Sequence, residues 1–163
     1  MDNEMKRQVF DITVWTVSIF VGLVLIMHEA MADSSVPPAR NAQWQAECGS
    51  CHIAYPPRLL PAPAWRRMMS QLDKHFGADA SLDAKAAAEI GAFLEQYAAS
   101  GRRARGPADS LRITETAWFV REHDKVQSAT WKLPAVKSAA NCAACHTLAE
   151  QGDFRERNIR IPR

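Results

Sequence analysis

The pentapeptide Cys-X-X-Cys-His occurs twice, as Cys48-Gly-Ser-Cys51-His52 and as Cys142-Ala-Ala-Cys145-His146, and the two copies use all four cysteines. The pattern reads as attachment of c-type haem. Each cysteine of a pair forms a thioether with one vinyl group of the porphyrin. The adjoining histidine is then held beneath the ring as an iron ligand. The expectation is two covalently bound haems c, and no cysteine is left for a disulfide. Two other uses of Cys-X-X-Cys fit less well. A four-cysteine zinc site expects a separation of roughly 15–20 residues between its pairs, and here 90 intervene. A thioredoxin-like dithiol expects a β-α-β pattern nearby, and none is visible.

The N-terminus bears on compartment. Lys6 and Arg7 precede a 16-residue apolar run from Ile12 to Met27, and Ala30-Met31-Ala32 follows. This is the layout of a secretory signal peptide. The run is shorter than the about 20 residues of a spanning helix, and Asp11 and Glu29 bound it. Residues 1–32 are therefore read as a signal peptide of the Sec route, with an uncleaved anchor as the alternative. Either way the body of the protein is expected in the periplasm. Haem is joined to such motifs after export, so the two signals agree.

Charge excludes little and implies little. The whole chain has 20 Lys and Arg against 18 Asp and Glu; without residues 1–32 the body has 131 residues and a net charge of +4. Haem propionates would bring that close to neutral. The balance makes no case for nucleic acid, and suits compensation of propionates or docking of an acidic partner.

The body reads as all-α, with two haem-bearing helical lobes and proline-rich loops. Residues 33–40 form a Ser/Pro-rich leader. The first lobe spans 41–101, a basic linker covers 102–109, and the second lobe spans 110–163. A helix runs from about Asn41 into the first motif. Tyr55-Pro56-Pro57 through Pro61-Ala62-Pro63 is an extended loop. Trp65, Met68, Met69 and Leu72 make an apolar stripe that predicts a helix over 64–75, with His75 on the stripe and Gly77 as its stop. Ser81 is the expected cap of the next helix, whose buried face is Ala86, Ile90, Phe93, Leu94 and Tyr97, ending at Gly101. In the second lobe a helix is expected over 114–124, with Phe119, Val120 and His123 on one face. Pro134 interrupts the chain, and a last helix enters the second motif from about Ser138. Trp44, Trp65, Trp118, Phe119 and Trp131 are expected to pack against porphyrin or helix core.

Five histidines are present, and His28 belongs to the leader segment. Two proximal ligands, His52 and His146, leave His75 and His123 as distal candidates. His75 lies 23 residues after His52, and His123 lies 23 residues before His146. The pairing expected is His52 with His75 and His146 with His123. Met68 or Met69 is the alternative distal ligand of the first haem. No methionine occurs in 70–163, so the second haem has His123 or an open site. Ligation crossed between lobes stays open.

Several stretches carry a resemblance. They are Glu47 through His52 with Ala54-Tyr55-Pro56-Pro57 and Leu59-Leu60-Pro61; Trp65, Met69, Leu72 and His75-Phe76-Gly77; and Cys142 through His146 with Ala149-Glu150, Gly152, Phe154 and Ile159-Arg160-Ile161-Pro162. On these the sequence resembles the bacterial dihaem cytochromes c of purple phototrophs. The resemblance implies an exported electron carrier with bis-histidine irons and a first lobe similar to a class I cytochrome c. It places His75 in the family's His-Phe-Gly motif; the match at His123 is less distinctive. It also implies redox partners, either a small monohaem oxygen-binding cytochrome or a membrane cytochrome b.

The expected function is outer-sphere electron transfer, without catalysis. One rival is a small dihaem peroxidase or reductase, which needs a labile iron ligand. The other is a membrane-tethered subunit of a respiratory complex, which needs residues 12–27 to stay uncleaved.

Overall fold

The computed structural model describes residues 40–101, 103–104 and 110–163. The leader and anchor expectations (1–32 and 33–40, apart from Arg40) and most of the 102–109 linker lie outside the described residues. Pro38–Arg163 form one compact unit. Among the described residues there are helices, turns and three isolated bridges, and no strand. None of the described helices is long and apolar enough to cross a membrane.

Helix α1 spans Ala42–Cys48. The Asn41 side chain accepts from the Trp44 amide at 2.8 Å, so the first turn is capped. Trp44 is buried against Phe93, with ring centroids 5.3 Å apart. The proline-rich loop follows the first motif and makes a single 3-10 turn, Pro57–Leu59. Pro61 then leads into α2, Ala62–Met69, with Pro63 in the first turn, where its missing amide costs nothing.

The stripe predicted a longer helix here, and α2 stops at Met69. The Ser70 amide bonds the Arg66 and Met68 carbonyls together, tightening the last turn. A separate 3-10 turn, Leu72–Lys74, carries the chain to His75. Phe76 (φ 50°) and Gly77 (φ 98°) then reverse it through left-handed backbone. The Ala80 amide closes the reversal on the Leu72 carbonyl at 2.8 Å. His75 is thus held by a corner, not by a helix face.

Helix α3 spans Ala84–Gln96. Its cap is Asp83, which accepts from Lys85 and Ala86 amides, both at 2.9 Å. Ser81 is instead engaged in the turn at Asp79, donating its amide to that carboxylate. Ala86, Ile90, Phe93 and Leu94 face the core as expected, whereas Tyr97 is 46% exposed. The helix ends before Gly101 because the Ala99 amide bonds across to the Leu60 carbonyl at 2.8 Å. Leu60, Ile90 and Ala64 have no exposure and centre the cluster between α2 and α3.

The second half begins with a 3-10 turn, Ile113–Glu115, and α4, Ala117–Glu122. Thr116 caps α4, its hydroxyl accepting from the Phe119 amide. Trp118 and Phe119 are buried, but Val120 is exposed, so the expected face excludes it. A four-residue helix, α5 (Ser128–Trp131), was not anticipated. No helix leads into the second motif, which instead carries a 3-10 turn, Cys142–Ala144. Lys137 at φ 66° turns the chain upstream of it. The C-terminal segment clasps this motif: the Arg160 amide bonds the Cys145 carbonyl at 2.8 Å and the Thr147 hydroxyl bonds the Asn158 carbonyl at 2.9 Å.

The proline-rich loop joins the halves. Trp65 donates its indole N–H to the Pro57 carbonyl from the first half, and Trp118 donates to the Leu59 carbonyl from the second. Arg58 reaches the Gly152 carbonyl at 2.9 Å.

Candidate functional site

The first motif leaves the end of α1 as a turn, with Cys48 half-buried and Cys51 and His52 exposed. His52 donates Nδ1–H to the Ile53 carbonyl at 2.7 Å. That bond fixes the tautomer and leaves Nε2 free to coordinate a metal. The Phe76-Gly77 corner brings His75 opposite, with ring centroids 6.1 Å apart and planes 26° apart. Phe76 packs edge-on against His75, and the Arg112 guanidinium sits 4.3 Å above the Phe76 ring. Met68 and Met69, the alternative ligands, both pack into the α2–α3 cluster.

The second site is built similarly from different elements. His146 is held by its amide bond to the Cys142 carbonyl at 2.8 Å. His123 closes α4, stacks on Phe119 at 4.0 Å, and donates Nδ1–H to the Phe119 carbonyl at 2.8 Å. The His123 and His146 centroids lie 6.2 Å apart with planes 75° apart. Each anchored ring therefore faces an opposing imidazole at nearly the same separation.

That separation fits an ion held between the rings. An imidazole–metal bond of about 2 Å, plus about 1 Å from nitrogen to ring centre, gives roughly 6 Å across two ligands. Burial, then the charge of His52, pushes the His75 pKa down; burial, then the charge of His123, does the same to His146. Both shifts favour neutral imidazole, the form that donates to a metal. In each pair one ring is fixed through Nδ1, while His75 and His146 have a buried Nδ1 without a hydrogen-bond partner.

The cysteines fit thioether better than thiolate. Burial, reinforced at Cys48 by the charge of Glu47, pushes Cys48 and Cys142 up to about 11. A neutral thioether sulfur carries no charge for that burial to penalise. Among the described residues, no three His, Cys, Asp or Glu gather to hold a bare ion.

The structure also exposes what the sequence reading passed over. The sequence places Tyr55 in the loop and in a stretch that carries the resemblance, without a role of its own. Its ring stacks on His52 at 4.7 Å and 25°, and its hydroxyl donates to the Ala140 carbonyl at 2.7 Å. An aromatic three residues after a motif histidine was the available signal. The partner 85 residues away had none.

Two opposed imidazole pairs, each beside a Cys-X-X-Cys turn in a helical body, define a c-type cytochrome with two haems. The family model for dihaem cytochrome c matches residues 44–154. The chain is similar to the crystal structure of a dihaem cytochrome c from Shewanella baltica OS155, at 44% identity over 75% of this chain and 93% of that one, with a TM-score of 0.66. It is also similar to the dihaem cytochrome c of Rhodobacter sphaeroides, at 41% identity over 71% of this chain and 98% of that one, with TM-scores of 0.65 and 0.60 in two structures. No curated protein matches it significantly. The chain belongs to the dihaem cytochrome c family. It is accordingly an electron-transfer cytochrome with two covalently bound haems c.

Proposed function

We propose that this chain is a periplasmic electron carrier whose two irons are each held between two histidines. Cys48 and Cys51 bind the first haem as thioethers, and Cys142 and Cys145 bind the second. His52 and His75 ligate the first iron, and His146 and His123 the second. The observation that carries this reading is the matched separation of the two imidazole pairs, 6.1 Å and 6.2 Å.

The haem supplies a reversible one-electron couple. The protein supplies the rest. With one iron held between His52 and His75 and the other between His123 and His146, no position would remain on either for substrate. Histidine in place of methionine holds the potentials lower. Electrons then enter and leave by outer-sphere transfer to docked redox proteins. The resemblance suggests a small monohaem oxygen-binding cytochrome or a membrane cytochrome b as partner. Export is supported by the Lys6-Arg7 start, the apolar run to Met27 and Ala30-Met31-Ala32.

Carbon monoxide tests the ligation. The reduced holoprotein should show no carbon monoxide adduct at either iron, and a ready adduct at both would overturn the bis-histidine reading. Cell fractionation with the mass of the mature chain tests the compartment. A product beginning at Asp33 in the periplasmic fraction is expected; a cytoplasmic product overturns it.

A further inference from the structure

We propose that Tyr55 is the internal bridge between the two haem sites, positioning them and carrying the electronic coupling between them. The contacts form an unbroken series. The Tyr55 ring lies on the His52 imidazole at 4.7 Å with planes 25° apart. Its hydroxyl donates to the Ala140 carbonyl at 2.7 Å. The same carbonyl accepts from the Cys142 amide at 3.0 Å. One ring contact and two hydrogen bonds through a single oxygen thus connect a ligand of the first iron to an attachment cysteine of the second haem.

Tunnelling decays less steeply through bonds and hydrogen bonds than through gaps, so this series is a favoured route. Packing agrees, because Tyr55 touches both hydrophobic clusters, the Trp44–Leu60–Ile90 group and the Leu59–Trp118–Phe119 group. Its backbone is stiffened by Pro56 and Pro57 directly after it. The hydroxyl also fixes the 138–142 turn against the first site. In the step itself one electron leaves the ferrous iron of one site and reduces the ferric iron of the other. Tyr55 keeps its proton and its electrons, and no bond is made or broken.

The inference rests on the two-haem carrier reading above, and its test separates the two. In the holoprotein, one haem is reduced by a fast pulse and the redistribution of the electron between haems is followed by absorbance. Tyr55→Phe keeps the ring on His52 and removes the hydroxyl. It should slow redistribution several-fold while both midpoint potentials and both ligand-field spectra stay in place. Tyr55→Leu removes the ring as well and should be slower still. Tyr97→Phe, at an exposed tyrosine outside this route, should match wild type. The Tyr55 hydroxyl proton should give a slowly exchanging NMR resonance that shifts with the oxidation state of the second haem. Equal redistribution rates in wild type and Tyr55→Phe, or a resonance indifferent to that oxidation state, overturn the bridge and leave the carrier intact. Wild-type protein whose sites exchange no electron overturns both.

Discussion

Replacing Trp65 by Phe tests whether the proline-rich loop is held as the structure implies. Trp65 is 6% exposed, and its indole N–H donates to the Pro57 carbonyl at 2.7 Å inside the core. Phenylalanine keeps most of the apolar contact and removes the donor. The Pro57 carbonyl still accepts from the Leu60 amide at 3.3 Å, so it is weakened as an acceptor and not orphaned. The lost hydrogen bond then costs about 1–1.5 kcal/mol, the low part of the range for a buried group. Loss of about 40 Å² of buried ring adds about 1 kcal/mol at roughly 25 cal/mol per Å². The sum, about 2–2.5 kcal/mol, lowers Tm by about 7–10 °C for a domain of this size. Guanidinium or thermal unfolding, followed by far-ultraviolet circular dichroism, measures it. The visible spectrum should not change, because His52 is fixed by its motif and by the Ile53 carbonyl. A loss below about 0.5 kcal/mol, within the range of ordinary surface substitutions, would refute the claim that this indole secures the loop. A changed low-spin spectrum would refute the separation of loop from ligand.

Each distal histidine has its own signature. His75→Ala and His123→Ala should each open one iron, giving one carbon monoxide adduct per reduced protein; an unchanged spectrum rules the residue out as a ligand. The ring planes differ, 26° apart at one site and 75° at the other. Near-parallel and crossed imidazoles split the iron d orbitals differently, so the oxidised protein should give two distinct low-spin electron paramagnetic resonance signals, and two identical signals refute that geometry. Hydrogen bonds from the Arg155 side chain and amide hold the Asp153 carboxyl well below the usual carboxylate range. A depressed folded pKa contributes stability above the unfolded value of about 3.9 and loses it as pH falls through the folded pKa. Asp153→Asn should therefore be less stable than wild type at pH 7, with the gap closing in strong acid; a gap constant with pH refutes the linkage.

Which histidines stand opposite one another was legible from the attachment motifs and the count of histidines, not from chain periodicity. Two attachment motifs and two further histidines in the body leave few ways to pair the rings. Local structure was harder. The stripe of Trp65, Met68, Met69 and Leu72 has true helical spacing, yet α2 ends at Met69, where the Ser70 amide tightens the last turn, and the corner beyond it sets His75 opposite His52. Periodicity reports which side chains want burial and says nothing of where the chain must turn. The Ala-rich approach to the second motif invited a helix on propensity. There the Ser138 hydroxyl accepts from the Ala140 amide and the Asn141 side chain donates to the Val136 carbonyl at 3.1 Å. Such side chain–backbone bonds compete with the helix ladder, and they win.

The least legible feature is the one that makes a single body of the chain. Trp65, Trp118, Arg58, Tyr55 and the Ala99 amide all bond to or from the segment 55–60, and their partners reach from Pro57 to Gly152. A domain of this size buries proportionally little surface on folding, and either half alone buries less. Placing the shared loop directly after the first motif lets one segment carry Tyr55 and accept the second half's Trp118. Prolines suit that task, because they restrict the loop in the unfolded chain and leave its carbonyls free to accept. Among the bonds that reach the loop from Trp65, Trp118 and Ala99, carbonyls of 57, 59 and 60 are indeed the acceptors. The loop works as a rigid acceptor surface, and the fixed distance between the two redox sites follows from it.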